Sequence, residues 1–185
     1  MKVLCVDDAD IHLTSIKSML KLVSLNGQSV AEIFEAKNGK LAVEQFKSMI
    51  TAKPDLITLD IRMPELDGLS ALVLIKSLAP RTPVVMVSSE DEKTISRKKG
   101  GAAQIPMNEK FALIDKVAAR VKAGVVEPGK INQVLDACEE LNLDPIAVAQ
   151  HFGASGYLKK PYTKEQTEDV LGKILGGSTG FVQAG

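Results

Sequence analysis

One aspartate, Asp60, is the centre of the chemistry that this sequence predicts. It follows Leu56-Ile57-Thr58-Leu59, and turn-forming residues come directly after it. A buried strand that ends on a carboxylate presents that carboxylate at its carboxyl end, and in open α/β sheets ligands bind at that edge. A single acid there could merely cap a loop. Four further residues argue against that reading, because they lie at the ends of other apolar runs: Asp7, Asp8, Ser88 and Lys160.

These side chains together favour phosphoryl transfer. Three carboxylates at one point repel each other and need a cation, and ligands that are all oxygen favour Mg²⁺, with Mn²⁺ as the alternative. A lysine binds phosphate as a point charge, and a serine hydroxyl donates to a phosphoryl oxygen. Since an aspartate can be the nucleophile that forms an acyl phosphate, the residues predict phosphoryl transfer onto Asp60.

Alternating strands and helices position these residues. Apolar runs predict five strands, and helical periodicity or cap signals separate them. This alternation predicts an α/β fold, a parallel sheet with helices on both faces. Thr163 and Gln166 form a capping-box pattern before the last helix. Residues 176–185 are expected to be a flexible tail. The predicted strands are residues 2–6, 29–36, 55–60, 84–89 and 156–161.

Composition narrows the class of protein. The chain has 185 residues, 45% of them apolar, and its 23 basic residues balance 23 acidic ones. Zero net charge argues against nucleic acid or a membrane surface as the main partner, and no apolar run is long enough to span a bilayer. Cys5 and Cys138 are expected to be buried thiols in a reducing cytosol. His12 and His151 are isolated and are expected to be helix-surface or packing residues.

Four separated motifs resemble those of response-regulator receiver domains of the CheY-like, chemotaxis type. The resemblance covers residues 1 to about 90 and 144 to 175, and it implies a flavodoxin-like, doubly wound, five-stranded parallel sheet of order 2-1-3-4-5. The motifs are Asp7-Asp8, Leu59-Asp60-Ile61-Arg62-Met63-Pro64-Glu65-Leu66-Asp67-Gly68, Val85-Met86-Val87-Ser88-Ser89-Glu90, and the run from Gly153 to Thr163 that contains Tyr157-Leu158-Lys159-Lys160-Pro161.

The resemblance also implies a role for each matched residue. Asp60 would be the phosphoacceptor, and Mg²⁺ would be held by Asp8, Asp60 and the backbone carbonyl of Arg62, with Asp7 acting through a water. Ser88 would be the switch hydroxyl, although by itself it could cap a helix. Tyr157 would be the aromatic switch, although it could also be plain packing. Lys160 would contact the phosphoryl group, and its bond to Pro161 would be cis.

The function so implied is that of a stand-alone, cytoplasmic response regulator of a two-component system. It would take a phosphoryl group from a histidine kinase or phosphotransfer protein and signal to a protein target, such as a flagellar motor switch, in chemotaxis or a phosphorelay. It would catalyse at most its own phosphorylation and dephosphorylation. One alternative is a phosphorylation-independent interaction module in which an inserted segment binds the partner. Another is a phosphohydrolase, against which Arg62 counts because the dehalogenase-like enzymes carry a second acid at that position.

The inserted segment is the main departure from the family. Ser88 and Lys160 are 72 residues apart, whereas a crossover with its helix needs only about 20. The receiver, residues 1–175, is therefore interrupted at about 91–143, and Asp144 with Pro145 restarts the parent helix. Two amphipathic helices cannot stand alone in water, so they pack on the receiver or mediate dimerisation or target binding. Their stripes are Phe111, Ile114, Val117, Ala118 and Val121, with Asn108 as N-cap and Gly124 as stop, and Ile131, Val134, Leu135, Cys138 and Leu141.

Overall fold

The structure, a computed structural model, describes residues 1–23, 25, 27, 29–49, 53–89, 105–124, 133–178 and 180–184. Within these residues, six parallel strands form one sheet of order β2-β1-β3-β4-β5-β6. The predicted doubly wound sheet and its 2-1-3-4-5 order are confirmed. The strands are β1 Lys2–Val6, β2 Glu32–Ala36, β3 Leu56–Leu59, β4 Val84–Ser88, β5 Gly156–Lys159 and β6 Val182–Gln183.

Helices cover both faces of the sheet. Every residue of β3 and β4 is buried, which is why these strands are continuous apolar runs rather than alternating ones. One core contains Val3 and Cys5 of β1 and side chains of α1 and α7. The other contains Leu4 and Val6 and side chains of the remaining helices. The helices are α1 Asp10–Leu22, α2 Gly39–Ser48, α3 Gly68–Leu78, α4 Met107–Lys122, α5 Gln133–Glu140, α6 Pro145–His151 and α7 Lys164–Leu175.

The sixth strand was not predicted. Residues 176–185 were expected to be a flexible tail, but Val182 lies opposite Gly156 in the sheet and its N–H donates to the Ser155 carbonyl at 3.0 Å. A Cβ at position 156 would come within 2.4 Å of the Val182 carbonyl oxygen, so glycine at this position permits the pairing. The short strand covers the edge that β5 would otherwise expose.

The two helices of the insert pack on the receiver. Ile114 and Ala118 of α4 and Val134 and Cys138 of α5 are buried in the same core as the side chains of α3. These two helices therefore pack against α3. Ile131, together with 91–104 and 125–132 of the insert, lies outside the described residues.

Cap residues locate the ends of these helices. Asp144 is the N-cap of α6 and accepts from the N–H groups of Ile146 and Ala147, as predicted. The capping box at Thr163 is also confirmed. The prediction of Asn108 as the N-cap of α4 is wrong, because that residue lies inside the helix. Pro106 precedes α4, and its carbonyl accepts from the Lys110 N–H at 3.0 Å.

Candidate phosphoacceptor site

Asp60 and Asp7 lie side by side at the carboxyl edge of the sheet. Each directly follows its strand, and the Asp60 N–H donates to the Val6 carbonyl at 3.0 Å. Both are nearly buried, with exposed fractions of 6% for Asp60 and 5% for Asp7. Asp8 is exposed beside them. The three acids therefore lie at the edge where the strands end, with one carboxylate open to solvent and two sheltered.

Lys160 joins the two buried carboxylates. Its Nζ donates to Asp7 Oδ2 at 2.6 Å and to Asp60 Oδ1 at 2.7 Å. The pairing of β5 with β4 brings the lysine to this point, and the Lys160 N–H donates to the Ser88 carbonyl at 2.9 Å. The Lys160–Pro161 peptide bond is cis. One ammonium thus compensates two adjacent carboxylates, which lowers the cost of burying them.

The backbone after Asp60 fixes its second oxygen. The Arg62 N–H donates to Asp60 Oδ2 at 2.9 Å. Helix α3 begins against the same turn, since the Gly68 N–H donates to the Ile61 carbonyl at 2.8 Å. A Cβ on Gly68 would lie 1.9 Å from the Asp60 carbonyl oxygen, so only glycine permits this approach. The Asp67-Gly68 pair of the motif therefore holds the Asp60 loop in place.

Burial and charge have opposite effects on the pKa values of Asp60 and Lys160. Burial raises the pKa of Asp60, and the hydrogen bond and positive charge of Lys160 oppose that rise. For Lys160 burial lowers the pKa, but the hydrogen bonds and charges of Asp60 and Asp7 outweigh it, so the pKa is raised. The lysine is consequently a fixed cation at neutral pH. A fixed cation beside a carboxylate suits the binding of a phosphoryl group.

A cavity of about 230 Å³ opens onto Asp60. It has room for a phosphoryl group and several waters, given that a single water needs only about 10–15 Å³. Asp7 does not line the cavity but contacts Lys160, which does. The lining residues include five of the predicted site residues, Asp8, Asp60, Arg62, Ser88 and Lys160, and also His12 and Ser89.

Tyr157 lies on the inner side of this edge. Its hydroxyl donates to the Ser88 backbone carbonyl at 3.0 Å, and its exposed fraction is 8%. The ring therefore points inward and contacts the strand end that carries the predicted switch hydroxyl. This contact links β5 to the end of β4.

The oxygen atoms suit a hard cation that keeps some of its waters. Among the described residues, no group of three His, Cys, Asp or Glu side chains is placed to hold a metal. Lys160 donates to both Asp7 and Asp60 and already provides one positive charge beside these two carboxylates. Asp8 and Asp60 still open onto one cavity. One or two carboxylates with a carbonyl and waters is the usual environment of Mg²⁺, so the residues fit this ion.

His12 is the site residue that the sequence analysis missed. Its Nδ1 lies 3.2 Å from Asp7 Oδ1 and 3.1 Å from Lys160 Nζ. The available signal was its place on the first turn after the Asp7-Asp8 strand end, because that turn begins at the ligand-binding edge. His151 is a helix-surface residue as expected, with Nε2 2.7 Å from Asp115 Oδ1. Cys5 and Cys138 are both buried and are not in a disulfide bond.

Known proteins resemble this chain over most of its length. Residues 3–105 match the response regulator receiver domain family. The Listeria monocytogenes chemotaxis protein CheY is 32% identical over 140 residues, which cover 76% of this chain and 97% of that protein. An Archaeoglobus fulgidus protein-glutamate methylesterase/protein-glutamine glutaminase is 40% identical over 119 residues, 62% of this chain and 32% of that protein.

A solved structure supports the same fold. A chain of the CheX–CheY–BeF3–Mg complex from Borrelia burgdorferi superposes with a TM-score of 0.56 and 18% identity, covering 94% of this chain and 88% of that chain. Across the described ranges, each helix is too short or too polar to cross a bilayer. The family match ends before Lys160, which reaches the site through the pairing of β5 with β4. The fold, the strand-end acids and the sequence matches agree, and the chain belongs to the response regulator receiver domain family.

Proposed function

We propose that this protein receives a phosphoryl group on Asp60 from the phosphohistidine of a histidine kinase or phosphotransfer protein. The P–N bond to the imidazole breaks and a P–O bond to the Asp60 carboxylate forms, and the imidazole takes up a proton as it leaves. The observation that carries the proposal is the Lys160 ammonium, 2.7 Å from Asp60 and 2.6 Å from Asp7 at the mouth of a phosphoryl-sized cavity.

The residues around Asp60 have different roles in the phosphoryl transfer. Lys160 offsets negative charge as the phosphoryl group approaches, and the Ser88 hydroxyl on the cavity wall donates to a phosphoryl oxygen. The Arg62 N–H keeps one Asp60 oxygen engaged, so that the carboxylate has a fixed orientation for in-line attack. Positioning and charge neutralisation are the main contributions that a protein makes to phosphoryl transfer.

Mg²⁺ is part of the proposal. Asp8, Asp60 and the Arg62 carbonyl would hold it, and Asp7 would act through a water. When bound, the ion neutralises charge on the phosphoryl oxygens. The exposed Asp8 carboxylate, which forms no hydrogen bond or ion pair with the described part of the chain, is the side chain best placed to accept it.

The output of the site is a changed surface. Tyr157 is bonded to the Ser88 carbonyl, so a change at the Ser88 hydroxyl is passed to β5 and to the surface formed by α6 and α7. A protein target in chemotaxis or a phosphorelay in the cytoplasm would bind that surface. Similarity to chemotaxis proteins supports this assignment. No activity is proposed beyond formation and hydrolysis of the acyl phosphate.

Labelling with a small phosphodonor tests the proposal. The protein is incubated with acetyl phosphate and Mg²⁺ and its intact mass is measured over time. Wild type should gain one phosphoryl group and Asp60→Asn none. Asp55→Asn, at the opposite end of β3, is the matched control and should label like wild type. Labelling of Asp60→Asn at the wild-type rate would show that Asp60 is not the acceptor.

A further inference from the structure

A second cavity lies where the insert meets the receiver. Its volume is about 530 Å³, within the range of about 300–1,000 Å³ typical of small-molecule sites. It shares no lining residue with the cavity at Asp60. We call it the junction cavity. Its apolar lining comes from the receiver, through Leu66 and Leu74, and from the insert, through Val121 of α4.

Specific contacts hold the walls of the junction cavity together. Ser70 lines the cavity on α3, and its hydroxyl accepts from the Val134 N–H of α5 at 3.2 Å. The same hydroxyl donates to Asp67 Oδ2 at 2.6 Å. Ser70 and Asp67 are both fully buried. The insert is therefore joined to the receiver at the cavity wall by satisfied buried hydrogen bonds, which makes the cavity a defined feature of the fold.

The rim of the junction cavity is positively charged. The described lining residues include three lysines, and the Nζ of Lys40 lies 3.8 Å from Glu65 Oε2. Lys47 and Lys122 are exposed and form no ion pair with any residue that the structure describes. They come from opposite sides, α2 and α4. A cavity with an apolar lining and two ammonium groups that form no ion pair with a described residue is complementary to a molecule with an apolar body and an anionic end.

We propose that the junction cavity binds a small amphipathic anion. Its apolar body would lie on Leu66, Leu74 and Val121, and its carboxylate or phosphate would lie between Lys47 and Lys122. Burial of the apolar body supplies the affinity, and the lysines select the charged end. The site is independent of phosphoryl transfer at Asp60, and the Asp60→Asn variant should bind the same ligands.

Fluorescence titration tests this site in the full chain. The probe is 8-anilinonaphthalene-1-sulfonate, an aromatic anion whose emission rises in apolar surroundings. It should bind saturably, with one probe per chain. Octanoate and octyl phosphate should each displace it, and their relative strength distinguishes a carboxylate site from a phosphate site. Octyl glucoside, which has the same apolar chain and no charge, should displace it at least about tenfold less well.

Charge reversal supplies the matched comparison. The double variant Lys47→Glu/Lys122→Glu should weaken probe binding about tenfold or more, because two attractive charges become repulsive. Lys21→Glu/Lys116→Glu carries the same change at exposed positions outside the cavity and should stay within about twofold of wild type. Circular dichroism establishes that both variants are folded. Absence of saturable binding, equal losses in the two variants, or equal displacement by octyl glucoside would overturn the proposal.

Discussion

The substitution Ile114→Ala tests whether the insert is part of the folded core. Ile114 lies on α4 with an exposed fraction of 0%, in the same core as the α3 side chains. Truncating a buried isoleucine to alanine removes buried carbons and leaves a cavity, which typically costs 2–5 kcal/mol of unfolding free energy. Alanine's higher helix propensity offsets this by only a few tenths of a kcal/mol. We therefore expect a loss of about 2–5 kcal/mol.

Leu113→Ala is the matched control on the same helix. Leu113 is 39% exposed, so its truncation should cost less than about 1.5 kcal/mol. Urea denaturation followed by circular dichroism measures both losses. Thermal melting should show a single transition that falls by about 4–20 °C for Ile114→Ala, since each kcal/mol shifts the midpoint by about 2–4 °C in a chain of this size. Equal losses for the two variants, or a separate early transition of the insert, would refute the packing on α3.

Three further predictions concern the site and its connection to the insert. Mg²⁺ should raise the melting temperature, and Asp8→Ala should remove most of that rise, because Asp8 is the solvent-exposed carboxylate that lines the cavity. An unchanged rise in the variant would exclude direct ligation by Asp8. Burial raises the pKa of Asp67 from 3.8 to about 6, so the folded state binds a proton more tightly than the unfolded state. The free energy of unfolding should therefore fall by about 3 kcal/mol as the pH rises from about 4 to about 6. Asp67→Asn should remove that part of the slope, and a constant difference from wild type between pH 4 and 7 would contradict it. Beryllofluoride with Mg²⁺ should change hydrogen exchange in α5, because Arg62 Nη1 beside the site lies 2.8 Å from Glu139 Oε1 of α5. Glu139→Gln should reduce the change. Hydrogen exchange in α5 that does not respond to beryllofluoride would contradict a connection through this ion pair.

The sheet and the acceptor could be predicted because their signals are local. The strands leading to Asp60 and Ser88 are continuous apolar runs that end on a polar residue, and parallel strands bring such ends to one edge. Asp144 and Thr163 likewise predict the start of the helices that they cap. These features depend only on neighbouring residues and on sheet topology, and the structure contains the predicted strand order and both helix caps.

Other features depend on contacts between distant parts of the chain. β6 is two residues long, too short to show a period, and it forms because Gly156 leaves room for Val182. The packing of α5 depends on the Ser70 hydroxyl, 64 residues away in sequence from its partner Val134. The periodicity of the insert predicted the α4 and α5 helices but not the surface that they cover.

His12 shows the same limit at the site itself. A lone histidine on a predicted helix has no sequence partner that marks it as functional. Its contact with Asp7 is local, but its contact with Lys160 exists only once β5 has joined the sheet. Lys160 was identified through its motif. Its hydrogen bonds to both Asp7 and Asp60 were not predicted, because the position of its Nζ is set by the tertiary fold.

The position of the acyl phosphate on the chain shows directly whether Asp60 is the acceptor. After reaction with acetyl phosphate and Mg²⁺, borohydride reduces an aspartyl phosphate to homoserine, and peptide mass mapping identifies the altered position. We expect homoserine at position 60 and no change at Asp7, which does not line the cavity, or at Asp8, which we assign to the metal. Homoserine at position 7 or 8, or no reduction product in a protein that has gained phosphate, would contradict this expectation.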